Sequence, residues 1–330
     1  MSTPHVSAVL VAWNSGAALA ACMDSLRTSA DAAGLSLELV VVDNGSTDGS
    51  VEALASIDHI SVRNPLNAGY GVAAAQGIQR ARGEWVLLVN PDVVVAQDFF
   101  QALDHEMREI GDDVASVVPE LRFSSDHRVV NARGIAVDDI GVPLEVDVGA
   151  PVVDGLSSRD VLGGSSGCTL FRADAVRRIG GVEPIFFAYL EDVDLALRLQ
   201  SAGYRARFVP AAVAWHVGSA SIGEGSPTKS FLVARNRRIL FRLHGPHTRR
   251  AITWRLLVEA GHGLVASAAG QPLTPWLGRL DAVRLRRYTE FLRRARREFD
   301  AHVTEPPRIE RIGLSATLRR KRGAARHLHR

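Results

Sequence analysis

Leu37-Glu38-Leu39-Val40-Val41-Val42-Asp43-Asn44-Gly45-Ser46-Thr47-Asp48 decides the fold class. A near-continuous apolar run of this length fits a parallel strand buried on both faces. It ends on a carboxylate and a polar, glycine-bearing turn. Working outward, Val6 to Trp13 is a second β-rich run, and Leu19, Cys22, Met23 and Leu26 then fall on one helical face. Downstream, a helix is expected around Val51 to Ala55, a strand over Ile57 to Val62, a helix over Ala68 to Ala81 and a strand over Trp85 to Val89. Repeated β-α units predict a doubly wound α/β domain that binds its ligand at the carboxyl ends of the strands.

Further along, the pattern predicts a helix over Phe99 to Ile110, a strand over Val114 to Val118 and an irregular β insertion over 120–160. A strand over Thr169 to Arg172 and helices over Ala173 to Ile179 and Glu191 to Ala202 follow, then strands over Arg205 to Val209 and Ala212 to His216. Gly218 to Pro227, rich in glycine and serine, reads as a mobile loop. The remainder reads as helices over 228–244, 247–269 and 276–303.

Of the 330 residues, 46% are hydrophobic and 23% charged, a globular composition that excludes disorder. Two cysteines without CxxC spacing exclude a disulfide framework and structural zinc. Neither a signal-peptide pattern nor a spanning apolar run is present, so a cytoplasmic setting is expected. The net charge of +3 conceals a polarity: residues 1–234 hold 16 basic and 29 acidic side chains, residues 235–330 hold 23 and 7. Only Lys229 and Lys321 are lysines. The basic part suits an anionic partner, either lipid headgroups or nucleic acid.

Four clusters combine strand ends with chemistry. Asp43, after three apolar strand residues, is placed to accept a hydrogen bond from a ligand N–H, whereas Asp48 reads as a helix cap. Asn67-Ala68-Gly69-Tyr70-Gly71 opens a helix, where glycines let backbone N–H groups approach an anion. Asn90-Pro91-Asp92 sets a carboxylate beyond a strand, suited to a hard divalent cation whose shell the ligand completes, or to an ordinary turn. Glu191-Asp192-Val193-Asp194 follows an aromatic lead-in, where Glu191 or Asp192 suits a general base and Asp194 a structural role. His216 ends an apolar strand and is a candidate further metal ligand.

In this order the clusters resemble the inverting family 2 glycosyltransferases of GT-A fold, most closely the rhamnosyltransferase-like branch of bacterial cell-surface glycan synthesis. The matching residues are Val11-Ala12-Trp13-Asn14, Val42-Asp43-Asn44-Gly45-Ser46-Asp48, Asn67-Gly69-Gly71, Asn90-Pro91-Asp92, Gly163-Gly164-Ser165, Glu191-Asp192-Val193-Asp194-Leu195, His216 and Arg235-Asn236. The resemblance implies a Rossmann-like nucleotide-sugar-binding half over about 1–118 and an acceptor half over 119–234, around one mixed sheet, with a basic helical extension over 235–330. It implies that Val11 and Trp13 border the base, that Asp43 accepts N3–H of uracil or thymine, and that Asn67, Gly69, Gly71 and Asn90 line the nucleotide. It further implies that Asp92 and His216 hold Mg2+ or Mn2+, that Arg235 contacts the diphosphate, and that Gly163, Gly164 and Ser165 lie toward the acceptor. Asp192, with Glu191 the second candidate, would be the base of a single inverting displacement. The implied partners are a dTDP- or UDP-linked donor, dTDP-rhamnose preferred, and a glycan or polyprenyl-linked acceptor. This sequence departs from the pattern with one carboxylate in the metal motif, Val182-Glu183-Pro184 in place of aromatic-Asp-Glu, and Gln76 where asparagine is common.

In the tail, Arg286-Arg287, Arg293-Arg294, Arg296-Arg297 and Arg319-Arg320-Lys321-Arg322 accompany apolar Leu277, Leu280, Val283, Leu285, Phe291, Leu292 and Phe299. Such a helix either lies on an anionic membrane, making the protein peripheral on its inner face, or packs on the catalytic unit. No nucleic-acid recognition motif accompanies the charge. Two other functions stand beside the transferase: a nucleotidyltransferase, against which Asn14-Ser15-Gly16-Ala17 offers no basic phosphate loop, and a non-catalytic nucleotide-sugar-binding protein.

Overall fold

The computed structural model describes residues 5–138, 141–217, 226–245, 248–268, 270, 274–300 and 311–312. Strands β1 (Val6–Ala12), β2 (Leu37–Asp43), β3 (Ile60–Arg63) and β4 (Trp85–Val89) are parallel and lie in the spatial order β3-β2-β1-β4. Alternation sorts their side chains: Ala8 and Leu10 of β1 face helices α1 (Ala18–Ala32) and α3 (Phe99–Glu109), while Val9 and Val11 face α2 (Tyr70–Arg80). Every residue of β1 is buried, as a doubly covered parallel strand requires.

The sheet continues past β4 through β11 (Cys168–Arg172), β6 (Val114–Phe123), β12 (Arg205–His216) and β10 (Arg159–Val161). β11 is antiparallel to both β4 and β6, so the expected mixed sheet is present. Short β5 (Val93–Val95) pairs with the end of β12, with His216 opposite Val93. The 120–160 stretch contains β7 (Val130–Ala132), β8 (Ile135–Asp138), β9 (Pro143–Glu145) and β10, joined irregularly as expected. Helices α4 (Ala173–Arg178) and α5 (Glu191–Ser201) cover the α2 face.

Several local expectations are corrected. The helix around Val51 is only a 3-10 turn, Glu52–Leu54, and the following strand starts at Ile60. Two strands expected over 205–216 are one bent strand, whose register shifts between Val209 and Val213 across Pro210. Most of the Gly218–Pro227 loop lies outside the described residues, as does the run Arg319 to Arg322. Asp48 caps no helix: it accepts from Gly16 N at 2.9 Å and from Ser50, bracing the loop after β1.

Helices α6 (Pro227–His244), α7 (Arg249–Ala268), α8 (Thr274–Arg284) and α9 (Arg286–Asp300) form the C-terminal region. The single helix expected over 276–303 is divided at Leu285. α8 lies directly on α6 because Gly278 carries no side chain; a Cβ there would meet the Phe231 carbonyl oxygen at 2.3 Å. The boundary expected at 234/235 falls inside α6. Ile239, Leu240 and Leu243 of α6 share a core with Val193 and Leu197 of α5, so α6 is continuous with the sheet-bearing unit.

Candidate active site

The strand order reverses between β1 and β4, the position at which α/β sheets leave a crevice beyond the carboxyl ends of their strands. A cleft of about 490 Å³ opens there. It is lined by Val11, Trp13, Asn67, Asn90 and Asp92 around the strand ends, by Ser165, Glu191 and Asp192 from the second half of the chain, and by His216.

Asp92 and His216 meet through strand pairing. β5 sets Val93 opposite His216, and Val217 N donates to the Asp92 carbonyl oxygen at 3.2 Å. His216 Nδ1 lies 3.3 Å from Asn131 Oδ1; with that nitrogen donating, Nε2 carries a lone pair. Among the described residues Nε2 has no hydrogen-bond partner, yet it stands 3.3 Å from Asp92 Oδ1. Two lone-pair donors at this separation fit a shared cation, with the second imidazole nitrogen fixed by an outer partner. Among the described residues, no group of three or more His, Cys, Asp or Glu side chains could cage a metal, so other ligands must complete the shell.

The segment that leads into Glu191 and Asp192 is built from strained backbone. Phe187, Tyr189 and Leu190 have φ of 61°, 69° and 68°, left-handed conformations that non-glycine residues avoid. Buried Asn236 of α6 holds them: its Nδ2 lies 2.7 Å from the carbonyl oxygens of Phe186, Ala188 and Tyr189. Glycines make the room. At Gly69 (φ +91°) a Cβ would sit 2.5 Å from the Phe187 ring, and at Gly71 3.0 Å from the Glu183 carbonyl oxygen. α5 then starts at Glu191, its first turn bearing three carboxylates where the helix dipole favours them.

Those carboxylates differ in environment. Asp194 is fully buried between Arg198, His244 and Arg296 of α9, at 2.7 Å from each. Their positive charge outweighs burial and holds it well below the ordinary carboxylate range. Burial pushes Glu191 well above that range, and repulsion from Asp192 adds to this. Asp192 is also raised by burial, but accepts from Val193 N at 2.8 Å and Ser166 N at 3.4 Å, which favours its anion. Tyr70 donates to the Ser166 carbonyl at 3.1 Å, and burial drives its hydroxyl far above the usual range. The turn 165–167 links the two sets of lining residues: Ser166 N reaches Asp192, and Gly167 O accepts from Asn90 N at 2.9 Å.

The other expected residues lie around this cleft rather than in it. Asp43 ends β2 beside Ala12, with Oδ1 accepting from Ser46 N at 2.9 Å. Gly163 and Gly164 do not line the cleft; a Cβ on Gly163 would strike Ala196 at 2.5 Å, and on Gly164 Thr169 Oγ1 at 2.2 Å, so they admit α5 and tighten the turn. Arg235 is turned away: Nε pairs with Asp281 Oδ2 at 2.8 Å, and Nη1 donates to Asn236 Oδ1 at 2.7 Å. Among the described residues, Lys229 and Arg237 are the lysine and arginine that line the cleft.

Sequence reasoning passed over four contributors. Asn44 lines the cleft, donating to Asn67 Oδ1 at 2.9 Å and accepting from Ala68 N at 3.1 Å. Tyr70 stood between two glycines, and Lys229 is one of two lysines among 39 basic residues, a rarity that was a usable signal. Asn236 had only its place in a motif, since nothing local tells of carbonyls 47 to 50 residues away.

The description "Glycosyl transferase family 2" matches residues 7–180, just over half the chain. Over 264 residues the chain is 30% identical to N-acetylglucosaminyl-diphospho-decaprenol L-rhamnosyltransferase of Mycobacterium tuberculosis (strain ATCC 25618 / H37Rv), covering 70% of this chain and 84% of that one. It is 33% identical over 106 residues to the uncharacterized glycosyltransferase YibD of Escherichia coli (strain K12), covering 31% of this chain and 30% of that relative's length. In fold it is similar to the mannosyltransferase PcManGT from Pyrobaculum calidifontis, solved with GDP-Man and Mn2+. The TM-score is 0.54 at 18% identity, covering 91% of this chain and 84% of that one. The strand order, the crevice at its reversal and the matched sequence agree, and the chain belongs to glycosyl transferase family 2.

Proposed function

We propose that this family 2 glycosyltransferase moves an L-rhamnosyl group from a dTDP-linked donor to a glycan or polyprenyl-linked acceptor, inverting the anomeric centre. The observation that carries the reading is one cleft with Asp192 on one wall and the Asp92–His216 pair among its other lining residues. An inverting displacement needs a base and a group that receives the diphosphate in one cleft, because the acceptor hydroxyl attacks from the face opposite the departing diphosphate. The rhamnosyl preference draws on the 30% identical M. tuberculosis relative. UDP-linked sugars are the next donors in line.

Val11 and Trp13 flank the nucleobase, with Asp43 at the adjoining strand end as acceptor for its N3–H. Asn67 and Asn90 border the nucleotide; Ser165 lies on the acceptor side. Asp192, raised by burial but with two backbone N–H groups that favour its anion, takes the acceptor's proton. Glu191, which protonates first, keeps a second negative charge off that wall. Asp92 and His216 would hold Mg2+ or Mn2+, which when bound supplies positive charge for the departing diphosphate. The same reading keeps the expected cytoplasmic setting.

Thermal stabilisation by a nucleotide-sugar panel, with and without Mn2+, tests this without a known acceptor. A donor at a hundred times its Kd adds about 2.7 kcal/mol. dTDP-rhamnose with Mn2+ is expected to give the largest shift, diminished in Asp92→Ala. No shift with any nucleotide sugar would remove the reading.

A further inference from the structure

Beyond the cleft, α6, α7 and α8 enclose more positive charge than they neutralise. Arg279 of α8 is 4% exposed; its Nη2 donates to the Glu259 carbonyl oxygen, and its Nε stands 3.6 Å from Glu259 Oε2. Arg255 Nε stands 3.7 Å from Glu259 Oε1. Among the described residues, Nε and Nη1 of both arginines have no hydrogen-bond partner. Arg238 is close enough to repel both, and burial lowers Arg255 to about 10. Arg237 joins this group to the cleft, which it lines. A buried guanidinium with spare donors is costly unless an anion meets it.

The surface beside this cluster is apolar. Trp276, 51% exposed, stacks on Arg279 with 4.6 Å between guanidinium carbon and ring centre. A Cβ on Gly263 of α7 would lie 3.6 Å from the same ring, so the helices adjoin there. Trp254, Leu257 and Leu264, three and seven residues apart, share one face of α7 and are exposed; Trp276 and Leu280 do the same on α8. No described helix is long and apolar enough to cross a membrane. On α7 the exposed Leu257 and Leu264 lie on the side of the helix away from Arg255, so an apolar outer face with arginines behind it is the makeup of a surface that lies in a lipid interface.

We propose that the α6–α7–α8 face docks on an anionic lipid bilayer, with lipid phosphates entering between Arg255 and Arg279 and Trp254, Leu257, Leu264, Trp276 and Leu280 entering the headgroup–acyl boundary. This goes beyond the transfer reaction, and its test reads binding alone, so the two fail separately. The purified full chain is floated with vesicles of phosphatidylcholine, or of phosphatidylcholine and phosphatidylglycerol in equal parts. Binding is expected on the anionic vesicles and at least about tenfold weaker on the neutral ones, since each interfacial arginine is worth about fivefold. The tail run Arg319 to Arg322 can itself bind anionic vesicles, so variants assign the face. The exposed double variant Trp276→Ser/Leu280→Ser, checked for an unchanged thermal transition, should lose most of the binding, and Arg255→Gln about fivefold. Undiminished flotation of the double variant, or equal flotation on neutral vesicles, overturns the proposal. So does stabilisation by inorganic phosphate without flotation, which would mark a site for a soluble anion.

Discussion

Val11, Asn90 and Asp92 reach the cleft from the ends of regular parallel strands buried on both faces, whereas Glu191 and Asp192 reach it from a helix preceded by three left-handed non-glycine residues. The first wall is supported by the sheet itself. The second is supported from a distance, by Asn236 of α6 and by the ions around Asp194. Backbone strain of about 1–3 kcal/mol per residue persists only where the surroundings over-determine it. The strand-end wall should therefore tolerate changes in the C-terminal helices that the helix wall does not.

The sharpest test of this division is Asp192→Asn. Turnover should fall on the order of 10³-fold, the span of general-base catalysis, while donor affinity by calorimetry stays unchanged; a parallel loss of affinity would merge the walls. Asp194→Asn should lower unfolding stability by about 3 kcal/mol, because Arg198 and Arg296 lose a buried counter-charge. Its folded carboxyl is held below the ordinary range, so the contribution is present above about pH 4 and is lost as pH falls toward the folded value. Denaturant titrations of both proteins across the acid range should therefore converge. Asn236→Ala should reduce kcat on the order of 10 to 100-fold, since misplacing a reacting group by an ångström has that cost, with donor affinity intact. Equal effects on kcat and donor binding would show that the clamp serves the whole cleft. The smallest effect is expected from Glu191→Gln. Glu191 is already protonated when Asp192 titrates, so its neutral isostere should leave the acidic limb of kcat in place, and a shift to lower pH would show that Glu191 is charged beside it.

The same contrast explains what could be read in advance. Apolar runs at Val6 and Leu37 announce doubly covered strands, and ligand-binding strand ends follow from topology, so Asp43 and Asp92 are visible without coordinates. Short elements were harder: Pro210 interrupts a continuous strand, and Val51 to Ala55 stops at one 3-10 turn. In sequence Gly69, Gly71, Gly163 and Gly164 read as phosphate or acceptor contacts, and the structure adds that their missing side chains admit Phe187, Glu183, Ala196 and Thr169. A glycine signals that something comes close, but not whether it is ligand or protein. Arg235 pairs with Asp281 of α8, 46 residues away, a partner that nothing local to its motif announces.

Helix α6 carries a practical consequence for anyone trimming this enzyme. A chain cut at residue 234 would retain both candidate metal ligands and both acids, yet discard the amide that keeps residues 186–189 in their contorted shape. Such a minimal version would resemble a lock with every pin present and the spring removed: able to hold a nucleotide, and slow to turn over.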